Sequence, residues 1–461
     1  TGTSVVLVQG ASVGDTVELL VHDIFSVADA VSAKDGGTFS GTIAAAGYSS
    51  STAGTSNYIA GVNAGNSITA GGNYNVTVGD EAGTALTTGD DNTFIGYAAG
   101  DATTTATDNV AVGHDAFTAN STGGDNVAVG ANALMANTTA AGNTGLGYQA
   151  LKTNTEGHSN VAVGKNSLKL GTTGDYNVAV GMNALDANTT ADNNTAVGYD
   201  ALGANTEGHS NVAVGTNALD ANTTADNNTA VGKAAGGAIT TGGSNTFVGS
   251  LAGDALDDSH NNVAVGVSAL SANCGSDNVA IGKSAGASIT GEHNTIMGYF
   301  AAGQLSSGSR NLCLGHESGS ALFSNGLFQL TDHNDRIVLG TTEATHAYIQ
   351  IDWTVVSDER DKTEIEDMDE GLSLVNQMRP ISYKFKTSRE DDTPKGRKKY
   401  GFSAQDVLAL EGSDAVIVDD EEDEKLKITN AHITPVLVNA IKELSAKNDA
   451  LEARLAALEA K

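Results

Sequence analysis

Asn177-Val178-Ala179-Val180-Gly181 is one copy of a five-residue motif that recurs through more than half of the chain. Each copy has Asn first, Val, Thr or Leu second, a large apolar residue fourth and Gly last. Successive copies lie seventeen residues apart, except for two gaps of sixteen. The asparagines of the fifteen copies are Asn75, Asn92, Asn109, Asn126, Asn143, Asn160, Asn177, Asn194, Asn211, Asn228, Asn245, Asn262, Asn278, Asn294 and Asn311. A register kept over this length indicates a repeat protein.

The motif predicts a short strand followed by a bend. Side chains alternate along a strand, so Val178 and Val180 share one face and Ala179 lies on the other. Gly181 ends the strand where the backbone bends or needs a positive φ. The apolar pair Ala184-Leu185 predicts a short second strand, and the polar segment 188–193 predicts a turn. Together these elements make one coil of a β-solenoid.

Such coils are expected to stack, because no single coil buries its own apolar face. Fifteen coils at a strand spacing of ~4.8 Å predict a rod about 70 Å long. The recurring Asn is interpreted as a structural ladder of side-chain amides, since a binding residue need not recur in every coil. We expect one strand face to line the coil interior and a flatter one to contact other subunits.

Composition divides the chain into parts. All three prolines lie beyond residue 356, whereas 56 glycines and only 5% aromatic residues suit a solenoid of small side chains. We predict a mainly β protein with an N-terminal β module or linker at 1–50, a seventeen-residue-repeat rod at 51–319, a β neck at 320–356 and a small α+β domain at 357–461. A degenerate coil at Asn57 to Gly61 is expected to cap the rod.

Charge and residue usage exclude several classes of protein. The formal net charge of −31 argues against nucleic acid as a partner, and no apolar run is long enough for membrane insertion. Cys274 and Cys313 lie in different coils and are expected to be unpaired. His158 and His209 recur in turns three coils apart, roughly 14 Å by the stacking estimate, which is too far to share an ion. We therefore expect no metal and no cofactor.

The C-terminal segment 437–461 carries a heptad pattern. Its apolar positions alternate at spacings of four and three residues, with Asn448 as the one polar member. Such a pattern is typical of a coiled coil in which a polar core residue sets the register. The predicted core residues are Leu437, Ile441, Leu444, Asn448, Leu451, Leu455 and Leu458. A three-heptad helix is marginal alone, so this segment is expected to oligomerise.

The rod motif resembles the left-handed β-roll repeat of trimeric autotransporter adhesin heads, and similar repeats occur in bacteriophage tail fibres. The C-terminal region resembles the self-cleaving intramolecular chaperone of phage tail spikes and fibres. That second resemblance rests on Ser-Asp-x-Arg-x-Lys at 357–362, Arg-Pro-Ile-Ser-Tyr-x-Phe at 379–385, Gly-Phe-x-Ala-Gln-Asp-Val at 401–407 and the final coiled coil.

The resemblance implies a homotrimer whose chaperone guides assembly of the rod and is then released by cleavage between Val356 and Ser357. It implies that Ser357 is the nucleophile, that Lys362 is its base, and that Asp358 and Arg360 support the site. A base is needed because a Ser hydroxyl is a weak nucleophile, and a desolvated Lys can serve. From spacing alone the alternative is a Ser357 helix N-cap followed by acidic residues, with Lys362 a solvated charge.

The leading interpretation is a virion tail fibre or spike that adheres to the host surface and is assembled in the bacterial cytoplasm. Its expected partners are two further copies of the chain, a host cell-surface glycan or protein receptor, and upstream virion tail proteins. The activity considered is serine self-cleavage, and no turnover enzyme is expected.

Two alternatives remain at this stage. A trimeric bacterial surface adhesin would end in membrane-spanning strands, whereas this chain ends in a charged coiled coil. A polysaccharide depolymerase would need paired carboxylates, which acidic turns could supply. The candidate acidic residues are Asp186, Asp192, Asp220 and Asp226.

Overall fold

The computed structural model describes residues 53–320, 330–341, 344, 355, 357–386, 389, 391–412, 415–421 and 426–460. Chain packing separates two compact units, residues 1–343 and 344–461, and each is considered by itself. The predicted N-terminal module at 1–50 and most of the predicted neck at 320–356 lie outside the described residues.

The first unit contains one parallel sheet of seventeen three-residue strands, each paired with the strand one coil further along. Val178 lies opposite Thr195, and Ala179 lies opposite Ala196. The strands are β1 Tyr58–Ala60, β2 Val76–Val78, β3 Thr93–Ile95, β4 Val110–Val112, β5 Val127–Val129, β6 Thr144–Leu146, β7 Val161–Val163, β8 Val178–Val180, β9 Thr195–Val197, β10 Val212–Val214, β11 Thr229–Val231, β12 Thr246–Val248, β13 Val263–Val265, β14 Val279–Ile281, β15 Thr295–Met297, β16 Leu312–Leu314 and β17 Ile337–Leu339. The predicted β-solenoid is confirmed.

The ends of the sheet extend beyond the fifteen motif copies, which are strands β2 to β16. Strand β1 is the degenerate coil, and it pairs in register with β2. Strand β17 comes from the predicted neck and continues the same sheet by pairing with β16.

The middle residue of each strand, which is Ala or Gly in most coils, points into the coil. Ala179 is fully buried, while Val178 and Val180 are half-buried on the outside. The two walls of a coil lie close together: at Gly145, which takes the place of Ala179, a Cβ atom would lie 3.3 Å from the carbonyl oxygen of Ala150 across the coil. A thin coil therefore keeps its smallest residues inside and leaves the branched residues on the surface.

The predicted asparagine ladder is confirmed. The Asn177 N–H donates to the Asn160 side-chain oxygen at 2.8 Å, and the Asn177 side-chain oxygen accepts from the Asn194 N–H at 3.0 Å. The Asn177 amide nitrogen donates to the Ala191 carbonyl at 2.8 Å. Because these side chains are buried, each bond satisfies groups that would otherwise be unpaired.

The predicted second strand is wrong. Ala184 and Leu185 are buried, but they lie in a turn, and Leu185 has a φ of 52°. This left-handed backbone is uncommon for a residue with a side chain and costs roughly 1–2 kcal/mol. Burying the Leu side chain returns about 1.5–3 kcal/mol. Seven leucines share this geometry, namely Leu134, Leu151, Leu168, Leu185, Leu202, Leu219 and Leu270.

Core volume is conserved between two positions of the coil. Where Phe247 replaces the usual strand alanine, Gly236 and Gly253 replace the turn leucine in the preceding coil and in the same coil. A Cβ atom at Gly253 would lie 2.5 Å from the Phe247 ring, and one at Gly236 would lie 2.7 Å from it. A large strand residue therefore excludes a side chain from the turn position.

A second asparagine ladder lies in the polar turns between the strands, which the sequence analysis described only as turns. The Asn137 amide donates to the Asn120 side-chain oxygen at 3.1 Å, and Asn154 donates to Asn137 at 3.0 Å. Asn188, Asn205 and Asn222 repeat the pattern, and all are buried. These buried, hydrogen-bonded amides have a structural role.

The second unit is a small α+β domain, as predicted. Strands β18 (Ile381–Lys386) and β19 (Pro394–Gly401) form an antiparallel hairpin, and β20 (Val418–Asp419) pairs with β21 (Lys427–Ile428). Helices α1 (Leu372–Gln377), α2 (Ala404–Glu411) and α3 (Asn430–Glu459) complete it. Its core consists of Met378, Val407, Ile417, Val418, Ile433 and Val436.

Helix α3 begins seven residues before the predicted coiled coil and contains Pro435. Ile433 and Val436 lie before and after Pro435 in the sequence, and both are buried against the domain core. This packing holds the first turns of the helix although the proline removes one backbone N–H.

Candidate functional site

Ser357 and Lys362 lie in hydrogen-bonding contact. A short 3-10 helix, Glu359–Asp361, folds the chain back between them. The Lys362 amine donates to Ser357 Oγ at 2.8 Å, and in its neutral form the amine could accept the hydroxyl proton along the same line. The geometry of a nucleophile beside a base is therefore present.

The residue that caps the 3-10 helix is not the one that the sequence spacing suggested. Asp358, not Ser357, caps the 3-10 helix, and its carboxylate accepts from the Arg360 N–H at 2.9 Å. The Ser357 hydroxyl is thereby left for Lys362.

Asp358 and Arg360 form an ion pair that braces this turn. The guanidinium contacts the carboxylate at 2.6 Å through Nη2 and at 3.0 Å through Nε. The hydrogen bond from Arg360 lowers the pKa of Asp358, and the same contact raises the pKa of Arg360. Both groups are held in their charged forms, which suits a role in fixing the turn that carries Ser357.

The site is open to solvent in the single chain. Ser357 and Lys362 are both exposed, whereas a lysine acts as a base only when neutral, a form that desolvation favours. The chain alone thus supplies the contact and not the dry environment. Val356, the predicted partner of Ser357 in the scissile bond, lies outside the described residues.

The sequence motifs at 379–385 and 401–407 contact each other in the folded domain. Arg379 precedes β18 and Asp406 lies in the first turn of α2, and their side chains pair at 2.7 Å. Ser403 caps α2 by accepting from the Asp406 N–H at 3.3 Å. The motif residues therefore build the body of the domain rather than the reaction centre.

Three positioning residues were missed by sequence reasoning. Glu411 accepts from the backbone N–H groups of residues 416–418, at 3.0, 2.6 and 3.0 Å in turn. Asn439 donates to the carbonyls of Met368 and Glu370 at 3.0 Å each, and Glu443 accepts from the Leu372 N–H at 3.3 Å. The bonds from Asn439 and Glu443 tie residues 368–372 to α3, and the bonds to Glu411 tie α2 to the start of β20. No periodic spacing in the sequence predicts these contacts.

The predicted coiled-coil residues share an exposed face of α3. Ile441 is 66% exposed, Leu451 60% and Leu458 67%. Leu444 and Leu455 are exposed too, and Asn448 donates to Glu452 at 3.1 Å within the helix. The first turns of α3 pack on the domain core through their other side. Within the described part of the chain, nothing packs on the apolar face formed by the predicted coiled-coil residues.

The turn histidines of the rod act as backbone caps. His158 and His209 are exposed, and their Nδ1 atoms accept the N–H of Ala141 and of Asp192, one coil earlier, at 3.0 Å each. Among the described residues no group of three potential metal ligands occurs. Both cysteines are free and buried, and burial raises each thiol pKa to about 12.

A polar cleft of about 260 Å³ lies on the turn side of the rod and includes two of the acidic residues considered for a depolymerase. It is lined by Asn183, Asp186, Asp200, Gly203, Ala204, Asn217 and Asp220. Burial raises the pKa of Asp186. Burial also raises the pKa of Asp101 and of Asp254, which occupy the same place in other coils. A raised pKa therefore recurs in several coils and does not mark a dedicated acid.

The comparison with protein families identifies one segment. Residues 357–417 match the model of a peptidase family described as the chaperone of endosialidase. The match begins at Ser357, the predicted nucleophile, and covers the dyad, the hairpin and α2. A comparison with curated proteins gives no match. None of the described helices is long and apolar enough to cross a membrane.

Proposed function

We propose that this protein is a phage tail fibre or spike whose C-terminal domain acts as an intramolecular chaperone, drives assembly of a homotrimer and then cuts itself off before Ser357. The observation that carries the proposal is the Ser357–Lys362 contact of 2.8 Å at the first residue of the segment matched by the endosialidase chaperone family. Chaperones of this family act in trimer formation, which suits the uncovered apolar face of α3.

The cleavage step follows from the chemistry of the dyad. Lys362 accepts the hydroxyl proton as Ser357 Oγ attacks the carbonyl carbon of Val356. The bond from that carbon to the Ser357 nitrogen breaks, the nitrogen takes the proton, and an ester to Oγ remains. Water then hydrolyses the ester, giving a carboxylate at Val356 and restoring the Ser357 hydroxyl.

Assembly would supply the dry environment that the single chain lacks. Burying Lys362 between subunits favours its neutral form, so cleavage would follow trimer formation. The rod that remains would adhere to a glycan or protein receptor on the host surface, and upstream tail proteins would anchor it in the virion. Residues 1–356 hold 8 Lys or Arg and 31 Asp or Glu, and this net charge of −23 favours the solubility of such a rod.

The test is intact and native mass of the parent chain beside Ser357→Ala, Lys362→Met and a matched control, Ser382→Ala, which removes an exposed hydroxyl in β18. We expect the parent and the control to give fragments ending at Val356 and starting at Ser357, and both dyad variants to stay whole. All four should be trimeric. Whole trimers in every case would make the domain a retained trimerisation module, and monomers would reject the fibre architecture.

A further inference from the structure

Four exposed tyrosines occupy the same position in four coils of the rod. Each directly follows the glycine that ends a strand, and each of these coils begins with Asn-Thr. We call Tyr97, Tyr148, Tyr199 and Tyr299 the tyrosine row, and their side chains are between 40% and 53% exposed. The first three follow one another at intervals of three coils, roughly 14 Å by the strand spacing, and Tyr299 lies six coils beyond Tyr199.

Two rings of the row already hold a flat partner. The Tyr97 ring stacks on His114, which lies one coil further on, with the ring centroids 5.2 Å apart and the planes 28° from parallel. Tyr299 stacks on His316 in the same way, again at 5.2 Å. A tyrosine at this position of the coil therefore presents a ring face on which a second ring fits.

The other two rings have no aromatic partner. One coil beyond Tyr148 lies Lys165, and one coil beyond Tyr199 lies Thr216. Within residues 53–320 neither of these tyrosines stacks on another ring. Exposed tyrosines of this kind are enriched where proteins bind ligands and partners, because one end of the side chain is apolar and the other is polar.

Polar side chains lie beside both of these rings. The Gln149 amide donates to the Tyr148 hydroxyl at 3.1 Å. The Tyr199 hydroxyl donates to the Asp200 carboxylate, and this bond raises the pKa of Tyr199. Asp200 is also one of the residues that line the polar cleft of the rod. At Tyr199 an apolar ring and a polar cleft are therefore neighbours.

The cleft lies where one coil lacks a side chain. Gly203 holds the position that is Asp186 in the coil before and Asp220 in the coil after, and both of these residues line the cleft. None of the lining residues is basic. Carboxylates accept hydrogen bonds and do not donate them, so the cleft suits a ligand rich in hydroxyl donors, and its charge repels anions.

We propose that the tyrosine row, together with the cleft beside Tyr199, binds an uncharged polysaccharide that runs along the rod. The inference rests on the adhesive role proposed above and names the class of receptor and the surface that meets it. A sugar ring has a face of C–H bonds that packs on an aromatic ring, and hydroxyl groups at its edge that donate to carboxylates.

The spacing of the row favours a polymer over a folded protein. A chain of repeating sugar units can present the same chemical group to equivalent side chains at regular intervals, whereas the surface of a folded protein has no such repeat. Several weak contacts on one polymer also reinforce each other. An anionic polysaccharide is excluded because the cleft and the surrounding rod are acidic.

The first experiment measures binding of the full-length chain to two sets of immobilised bacterial polysaccharides, one with uncharged repeat units and one with carboxylate-bearing units. Tyr199→Ala and the double variant Tyr148→Ala with Tyr199→Ala remove the two unstacked rings. Tyr176→Ala is the matched control, because Tyr176 is 62% exposed and lies in a turn outside the row. Native mass and thermal unfolding check that each variant assembles and melts like the parent.

A second pair of variants tests the cleft without changing a tyrosine. Gly203→Asp fills the cleft with the residue that both neighbouring coils carry at this position. A Cβ atom there would meet nothing closer than the Asp200 carbonyl oxygen at 3.4 Å, so the coil should keep its fold. Gly237→Asp is the control, because it adds the same charge at the equivalent position two coils on, outside the cleft lining.

We expect the parent chain to bind uncharged polymers and not the carboxylate-bearing ones. Tyr199→Ala and Gly203→Asp should each weaken this binding by at least about threefold, and the double tyrosine variant by at least about tenfold, because contacts along one polymer act together. Tyr176→Ala and Gly237→Asp should bind like the parent.

Three results overturn the assignment and leave trimer assembly and self-cleavage standing. One is a parent chain that binds no uncharged polymer, and another is a preference for the carboxylate-bearing set. The third is binding by the double tyrosine variant that equals binding by the parent. A parent chain that neither forms trimers nor cleaves rejects the proposed function instead, and loss of its polymer binding in the row variants alone would still support the row.

Discussion

At the scale of single residues, packing in the rod depends on the combined volume of two side chains in each coil, that of the inward strand residue and that of the buried turn residue. Phe247 fills the space that Ala179 and Leu185 fill together in another coil. The turn position of its coil is Gly253, because a side chain there would overlap the Phe247 ring. The left-handed backbone does not forbid leucine here, because Gly253 has a φ of 61° and the seven leucines at the equivalent position have φ values of 47–52°. Sterics therefore decide this position, and backbone conformation does not.

This argument predicts a strong coupling between the two positions. Phe247→Ala alone should cost about 3–5 kcal/mol through the cavity it leaves. Gly253→Leu alone should cost at least about 1–3 kcal/mol, because its Cβ would start 2.5 Å from the ring. The loss of unfolding free energy in the double variant should be smaller than the sum of the two single losses by at least about 1 kcal/mol. Denaturant unfolding of the four proteins measures the coupling, and simple additivity would contradict the volume argument.

At the scale of elements, the strand and its terminal glycine could be predicted from the sequence, and the following turn could not. Alternation and a repeating Gly are local signals of a strand and its end. The Ala184-Leu185 pair gives the same apolar signal whether it lies in a strand or in a buried turn, and leucine seldom adopts a positive φ. The inward direction of Ala179 depends on the distance between opposite walls of the coil, which a single strand does not encode.

The glycine that ends each strand yields an element-scale prediction. Gly181 has a φ of 138°, and a Cβ atom there would lie 2.2 Å from the Gly198 carbonyl oxygen of the next coil. Gly181→Ala should therefore destabilise the stack by about 3 kcal/mol or more, since backbone must move in two coils.

Gly237→Ala is the matched control, because its Cβ would meet nothing closer than Asp220 Oδ1 at 3.3 Å. It should change stability by no more than about 0.5 kcal/mol. Coils of a solenoid can open separately, so the measurement is native-state hydrogen exchange of the amides in β8 and β9 for Gly181→Ala and in β11 and β12 for Gly237→Ala, each compared with the parent chain. Equal protection in the two variants would contradict the close-approach argument.

The candidate site belongs to this scale as well. The Ser357-Lys362 spacing alone favoured a helix cap over a nucleophile pair, and residues five apart do not share a helix face. A three-residue 3-10 helix with Asp358 as its cap brings them together. The bonds from Asn439 and Glu443 to the acidic segment span about seventy residues of sequence, and contacts of that kind leave no periodic signal.

At the scale of the whole molecule, the sequence has two different repeat lengths in its two parts. The rod repeats every seventeen residues, while α3 repeats every seven and leaves an apolar ridge that is exposed in the single chain. If three chains assemble as proposed, this ridge is the element that would align them in register.

The helix can be tested for that role by placing one charge on each of its two sides. Leu451→Lys puts an ammonium on the apolar ridge, where Leu451 is 60% exposed in the single chain. Ala446→Lys puts the same charge on the polar side of the same helix. If α3 aligns the subunits, Leu451→Lys should reduce the trimeric fraction at equal concentration by about tenfold or more, because a lysine in a coiled-coil core is left without water or a counter-charge. Ala446→Lys should assemble like the parent. Native mass across a dilution series measures both. Equal trimeric fractions in the two variants would mean that contacts along the rods align the subunits without the helix. The C-terminal domain would then act after association and not before it.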